Sequence, residues 1–153
     1  MKIRLLSVGK DRSGLFEPGV QEYARRLTHY CRFELLELPE AKKARDAAGA
    51  IEEEAATILD RLKAGEALLA LDERGRSLTS RGLADWLSKL QAQGRDLAVV
   101  VGGAEGLGEA VRARAQLVLS LSAMTLPHRL ARLVFAEQLY RAFTLLKGEP
   151  YHR

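Results

Sequence analysis

The sequence predicts an α/β fold with a mainly parallel sheet and helices on both faces. Three observations carry this. Short apolar runs alternate with amphipathic stretches of helical period from one end to the other. Residues 97–101, Leu-Ala-Val-Val-Val, are continuously apolar, the pattern of a strand covered on both faces. No repeat, low-complexity tract or linker interrupts the 153 residues, so the chain reads as one domain over 1–153.

Taken in order, residues 2–8 read as a first strand, followed by a polar loop over 9–19. Residues 20–30 read as a short helix with Val20, Tyr23, Ala24 and Leu27 on one face. A second strand, 33–38, stops at Pro39, and 40–46 is a flexible basic loop with Lys42, Lys43 and Arg45. Residues 47–63 are helical, with Ile51, Ala55, Ile58, Leu59 and Leu62 forming the apolar stripe and Gly65 ending it. A strand over 66–71 leads into the loop Asp72-Glu73-Arg74-Gly75-Arg76. Thr79 or Ser80 caps a helix to about residue 93, and Gly94 stops it. The strand 97–101 runs into residues 102–108, which hold four glycines in seven positions. A short helix, 109–116, precedes a strand at 117–121. Pro127 then opens the longest amphipathic helix, to about residue 147; its missing N–H has no helical partner there, and Thr125 suits the N-cap.

Composition narrows the function classes. With 47% apolar and 29% charged residues the chain is globular rather than disordered. No apolar run approaches the roughly 18 residues of a membrane span, and the N-terminus lacks a signal peptide's apolar core. The single cysteine, Cys31, excludes an internal disulfide and fits a reducing cytoplasm. Three scattered histidines give no metal-ligand spacing. Net charge is +4, and its distribution is uneven: residues 1–76 hold 14 basic and 14 acidic side chains, residues 77–153 hold 10 and 6. A polyanion such as RNA, or a plain solubilising surplus, accounts for that excess.

In an open parallel sheet, ligands bind beyond the carboxyl ends of the strands. Three loops leave such ends, after Leu71, Val101 and Leu121. The glycine loop fails the dinucleotide spacing, because Ala104 and Leu107 stand where glycines are required, and it fails the P-loop pattern at Glu109. Glu105 and Glu109 disfavour a polyphosphate and suit a ligand with a cationic centre. The alternative is a turn that needs positive φ. Ser120 and Ser122 lack a nucleophile elbow, and His128 is either a site residue or a polar residue of a first turn. The last helix is apolar on two sides, with Leu130, Leu133, Val134, Leu139 and Phe143 on one and Ala131, Phe135, Ala142, Leu145 and Leu146 elsewhere. Such a helix is central in its own fold or covered by a partner, and in so short a chain a dimer interface is the preferred reading. The ending Tyr151-His152-Arg153 combines a stacking ring, an imidazole and a guanidinium, groups that splayed RNA bases favour, against the ordinary alternative of a frayed terminus.

The runs Val100-Val101-Gly102-Gly103-Ala104-Glu105-Gly106-Leu107, Leu119-Ser-Leu-Ser-Ala-Met-Thr-Leu-Pro-His128, Ala136-Glu137-Gln138-Leu139-Tyr140-Arg141-Ala142 and Pro150-Tyr151-His152-Arg153 resemble the RlmH family. These are 23S rRNA pseudouridine N3-methyltransferases of the SPOUT class, and the similarity spans nearly the whole chain. The resemblance implies a C-terminal trefoil knot, a cytoplasmic homodimer and S-adenosyl-L-methionine as cofactor, with no metal. It implies that Leu71, Gly102 and the backbone of Leu121, Ser122, Ala123, Met124, Thr125 and Leu126 hold the cofactor, with Gly103 and Gly106 as loop neighbours. The implied substrate is the N3 of a pseudouridine in the 70S ribosome or its large subunit. His128, Tyr151, His152 and Arg153 are the catalytic candidates, and Arg129, Arg132 and Arg141 the expected RNA contacts. Two alternatives stand beside this: a tRNA methyltransferase of the same fold, which the Tyr151-His152-Arg153 ending disfavours, and a non-catalytic RNA-binding or ribosome assembly factor.

Overall fold

The computed structural model describes residues 1–153 and contains five strands and five helices. These alternate as β1 (Lys2–Val8), α1 (Glu17–Leu27), β2 (Arg32–Leu38), α2 (Ala47–Arg61), β3 (Ala67–Ser77), α3 (Ser80–Ala92), β4 (Leu97–Val101), α4 (Glu109–Arg114), β5 (Leu117–Ser120) and α5 (His128–Lys147). All strands are parallel, in the order β2-β1-β4-β3-β5. Period-two alternation sorts their side chains between two cores. Ile3, Leu5, Leu69, Val99 and Leu119 face α1, α3 and α5, whereas Leu6, Val8, Leu68, Ala70 and Val100 face α2 and α4. The expected class, with helices on both faces, is the observed one. No helix is long and apolar enough to cross a membrane.

Where boundaries differ from expectation, particular side-chain contacts explain it. Helix α1 begins at Glu17 rather than residue 20, because the Asp11 carboxylate accepts the N–H groups of Phe16 and Glu17 at 2.8 and 3.1 Å. Gly19 sits inside this helix, where a Cβ would meet Leu133 of α5 at 2.9 Å. β3 does not stop at Leu71. It bulges outward over residues 72–75 and rejoins β5, so that Leu119 is the partner of both Leu71 and Arg76. β5 ends at Ser120, whose hydroxyl donates to the Ser122 carbonyl at 2.9 Å. The N-cap of α5 is Pro127, not Thr125; the Thr125 hydroxyl instead donates to Glu73 at 2.8 Å.

Helix α5 packs against both α1 and α3. Its two apolar sides are therefore explained first by a central place in its own helix layer. Phe135, Leu139 and Phe143 are buried against the sheet, and Leu130, Val134, Leu145 and Leu146 are left half-buried.

Candidate active site

Strand order places the site. β4, β3 and β5 lie side by side and parallel, so their carboxyl ends open on one edge of the sheet. From β3 the chain turns to α3 on one face, and from β4 to α4 on the other. Connections that depart in opposite directions leave a crevice between neighbouring strands. A cavity of about 890 Å³ fills it, within the range of small-molecule and cofactor sites.

Its wall contains Leu71, Gly102, Gly103, Gly106, Leu121, Ser122, Met124, Thr125 and Leu126, together with His128. The three loops singled out from the sequence thus meet at one cavity. Ala123, expected with its neighbours, is exposed and lies outside the wall. The glycines act by close approach. A Cβ on Gly102 would lie 2.8 Å from the backbone carbon of Gly106, and Gly106 itself has φ +87°. Gly103 faces inward, where a Cβ would meet Glu54 Oε2 at 2.9 Å and Val8 at 3.2 Å.

Charged residues complete the wall: Glu109, which the sequence already marked with Glu105, and Asp72, Glu73, Arg74 and Arg112, to which it gave no role. Arg74 donates from Nε and Nη2 to the two oxygens of Asp72, each at 2.9 Å, and Arg112 stands 3.6 Å away. Burial alone would raise the Asp72 pKa, but the Arg74 hydrogen bonds and the two arginine charges outweigh it and hold the carboxyl below its usual range. Arg112 also donates to the Leu107 carbonyl at 2.6 Å, which fastens the end of the glycine loop. The only sequence signal for this network is the dense charge placed directly after an apolar strand. With Glu105, the cavity presents four carboxylates against two guanidiniums. His128 is held below its ordinary pKa by burial first and by Arg129 second, with Glu40 opposing. No three His, Cys, Asp or Glu side chains are grouped as metal ligands.

Tyr151, His152 and Arg153 do not reach this cavity. The tail is packed rather than frayed: the Tyr151 ring sits edge-on to Tyr140 at 4.7 Å and beneath Arg141 at 4.8 Å, and its hydroxyl donates to Glu137 at 3.0 Å. Burial, then the hydrogen bonds with Tyr23 and Glu137, push the Tyr151 pKa upward, so this phenol is not a base near neutrality. His152 Nδ1 lies 3.4 Å from Arg141.

The three arginines expected at an RNA surface fare differently. Arg132 is turned inward, 5% exposed, and paired with Glu17 at 2.7 Å, so it is not a surface cation. Arg141 is half-buried and paired with Glu137 one turn away. Arg129 is half-buried, and its Nε donates to the Lys10 carbonyl at 2.8 Å.

The family model described as "Predicted SPOUT methyltransferase" matches residues 1–152. A protein of Anaeromyxobacter sp. (strain K) named "Ribosomal RNA large subunit methyltransferase H" is 52% identical over 153 residues, covering 100% of both chains. Its namesake in Gloeobacter violaceus is 46% identical over 152 residues, 99% of each chain. Among solved structures, a probable methyltransferase from Bordetella pertussis Tohama I superposes with a TM-score of 0.56 at 20% identity, over 92% of this chain and 95% of that one. TrmJ from Z. mobilis ZM4 gives 0.58 at 13% identity, over 99% and 72%. At these identities the structural likeness concerns the fold.

Proposed function

Since the chain belongs to the SPOUT methyltransferase family, we propose that it transfers a methyl group from S-adenosylmethionine to N3 of a pseudouridine in 23S rRNA, on the assembled large subunit. The observation that carries this is the meeting of three strand-end loops at one glycine-walled, carboxylate-rich cavity, in a chain 52% identical end to end to a named rRNA methyltransferase.

The cavity suits the cofactor. Leu71, Leu119, Leu121 and Leu126 offer an apolar bed, and Gly102, where a side chain would collide with Gly106, lets two stretches of loop backbone pack together in the wall. The surplus of carboxylates favours a ligand that carries positive charge. When bound, S-adenosylmethionine supplies an electrophilic methyl group on a cationic sulfur. The protein then has to orient the acceptor, exclude water and receive the proton of N3. His128, uncharged at neutral pH, is the wall residue suited to take that proton.

In this reading Tyr151, His152 and Arg153 serve the cavity of a second copy, so the active species is a homodimer. The support is their place on the outer side of α1 and α5, away from their own cavity. A C-terminal trefoil knot belongs to the same proposal. In its support, Gly75 of the β3 bulge lies flat on β5, and α5 packs back against α3.

The test incubates purified protein and labelled S-adenosylmethionine with unmodified 70S ribosomes and large subunits, then maps the methylated nucleotide by mass spectrometry. The expected result is one 3-methylpseudouridine in 23S rRNA. Label entering tRNA, or no label in any RNA despite cofactor binding, overturns the proposal. For the tail, a chain truncated after Gly148 is combined with a full-length chain carrying Leu126→Arg in its cavity wall. Mixed dimers that regain activity support action across the dimer. Dead mixed dimers, with the heterodimer shown to form, refute it.

A further inference from the structure

Of the cations expected to meet RNA, Arg132 and Arg141 are paired with carboxylates and Arg129 is held by a backbone carbonyl, whereas a cluster of exposed cations in no ion pair lies on the loops after β1 and β2. The parallel register sets Val8 opposite Leu38 and Ser7 opposite Val101. The loops after β1 and β2 therefore leave the sheet at the same edge as the glycine loop. Both are built on stiff backbone. Loop 10–16 is tied to the first turn of α5 by Arg129 Nε on the Lys10 carbonyl, next to the wall residue His128, and to α1 by Asp11. In loop 41–46, Glu54 Oε1 accepts the N–H of Ala41 at 3.1 Å, and the two oxygens of Glu53 accept those of Lys42 and Lys43 at 3.1 and 3.2 Å. Asp46 caps α2 through the N–H of Gly49 at 2.7 Å.

Asp11, Asp46, Glu53 and Glu54 are thus spent on backbone N–H groups, not on cations, and Glu40 is the one exposed carboxylate left between the two loops without an ion pair. Lys10, Arg12, Lys42, Lys43 and Arg45 are all exposed, and none enters an ion pair. The zero net charge of residues 1–76 conceals this segregation, because cations such as Arg4, Arg25 and Arg26 are neutralised by Glu66 and Glu22 elsewhere. The two large apolar side chains left exposed, Leu15 at 73% and Met124 at 79%, project from loops of this same edge.

We infer that the loops after β1 and β2 form the docking surface for substrate RNA, with Lys10, Arg12, Lys42, Lys43 and Arg45 contacting backbone phosphates beside the cavity. This rests on the rRNA reading above. Unpaired cations on an anchored backbone meet phosphate without first breaking an ion pair, and each contact releases condensed counterions. Leu15 and Met124 add apolar contact for unstacked bases near the cavity mouth.

The test uses full-length protein and a triple variant, Lys42→Gln/Lys43→Gln/Arg45→Gln. A control triple, Arg32→Gln/Arg61→Gln/Lys63→Gln, removes exposed unpaired cations from the opposite edge. Affinity for unmodified large subunits is measured between about 50 and 200 mM salt, with cofactor binding followed by calorimetry. The expected result is a log–log salt slope reduced by about 2 to 3 in the first triple, with affinity near 0.1 M salt down roughly 100-fold. The control keeps the wild-type slope, and both keep cofactor affinity. A first triple with the wild-type slope, while the wild type methylates the particle, overturns the inference and leaves the rRNA reading standing. An equal loss in the control triple also overturns it. Retention on phosphatidylglycerol vesicles that disappears in the first triple, with subunit binding unchanged, overturns it in favour of a membrane surface. A wild type that modifies no rRNA overturns both.

Discussion

Gly75→Ala isolates the contact between the β3 bulge and β5. An added Cβ would lie 2.5 Å from the Val118 carbonyl oxygen, 2.6 Å from its carbon and 2.8 Å from Leu119 N. All three are backbone atoms, so no rotamer change relieves the overlap. Ordinary carbon–oxygen contacts are about 3.3 Å or more, so the two segments must part by nearly 1 Å. That movement strains the second stretch of pairing, Arg76 with Leu119 and Ser77 with Ser120. Overpacking of this kind costs about 1–3 kcal/mol, and each weakened ladder bond adds about 1 kcal/mol, giving roughly 2–4 kcal/mol. For a chain of this size that lowers Tm by roughly 4–16 °C. Gly65→Ala is the reference: Gly65 has φ +77° but nothing within 4 Å, so only the left-handed backbone penalty of about 1–2 kcal/mol applies. Because the bulge and β5 both feed the cavity wall, Gly75→Ala should also weaken S-adenosylmethionine at least tenfold, or about 1.4 kcal/mol. Calorimetric melting and titration decide it. Gly75→Ala melting within 1 °C of the wild type, with undiminished cofactor binding, refutes the reasoning.

Three further predictions follow from the same geometry. The folded His128 pKa lies below its ordinary 6.5, so the unfolded chain takes up the proton first and this contribution to stability is lost as pH falls below about 6.5; His128→Gln should flatten the urea midpoint against pH in that window. Glu66→Ala strands the buried Arg4, which donates from Nε to Glu66 at 2.8 Å, and should cost about 3–5 kcal/mol in urea denaturation, while the double variant Arg4→Met/Glu66→Leu regains most of it. Burial pushes the Cys31 thiol up to about 12, so iodoacetamide in mildly alkaline buffer should label the protein only after guanidinium is added; rapid labelling of the native protein would contradict this.

Much of the fold is legible because periodicity is local. The unbroken apolar run at 97–101 and the stop at Gly94 lie within a few residues of what they determine, whereas α2 ends at Arg61 with Leu62 turning extended, ahead of the expected stop at Gly65. What escapes depends on partners far along the chain. Arg132 reads as a free cation until Glu17, 115 residues away, is brought against it. Residues 72–76 read as a loop by charge, although Arg76 and Ser77 return to pair with β5. Thr125 reads as a cap, but its hydroxyl finds Glu73 across the cavity mouth. The candidate site is legible at its backbone, since strand ends and glycines mark it, and illegible in the Asp72–Arg74–Arg112 network. That network depends on β3 and α4 meeting, which no spacing announces.

The place of β3 between β4 and β5 bears on how the protein is made. Residues 67–71 are wholly buried in the finished molecule, yet both strands that flank them are encoded later, at 97–101 and 117–120. At about 5–20 residues per second, a chain leaving the ribosome waits roughly 2–10 s between completing that apolar segment and reaching its second neighbour. Both edges of a five-residue strand, Ala-Leu-Leu-Ala-Leu, are open to other nascent chains until 97–101 is made, and the edge that β5 later covers stays open to the end of that interval. Yield in the cell should therefore track the pace of translation across residues 72–117 more closely than the melting temperature of the finished protein. Slow codons placed there would lower soluble yield without changing a single residue.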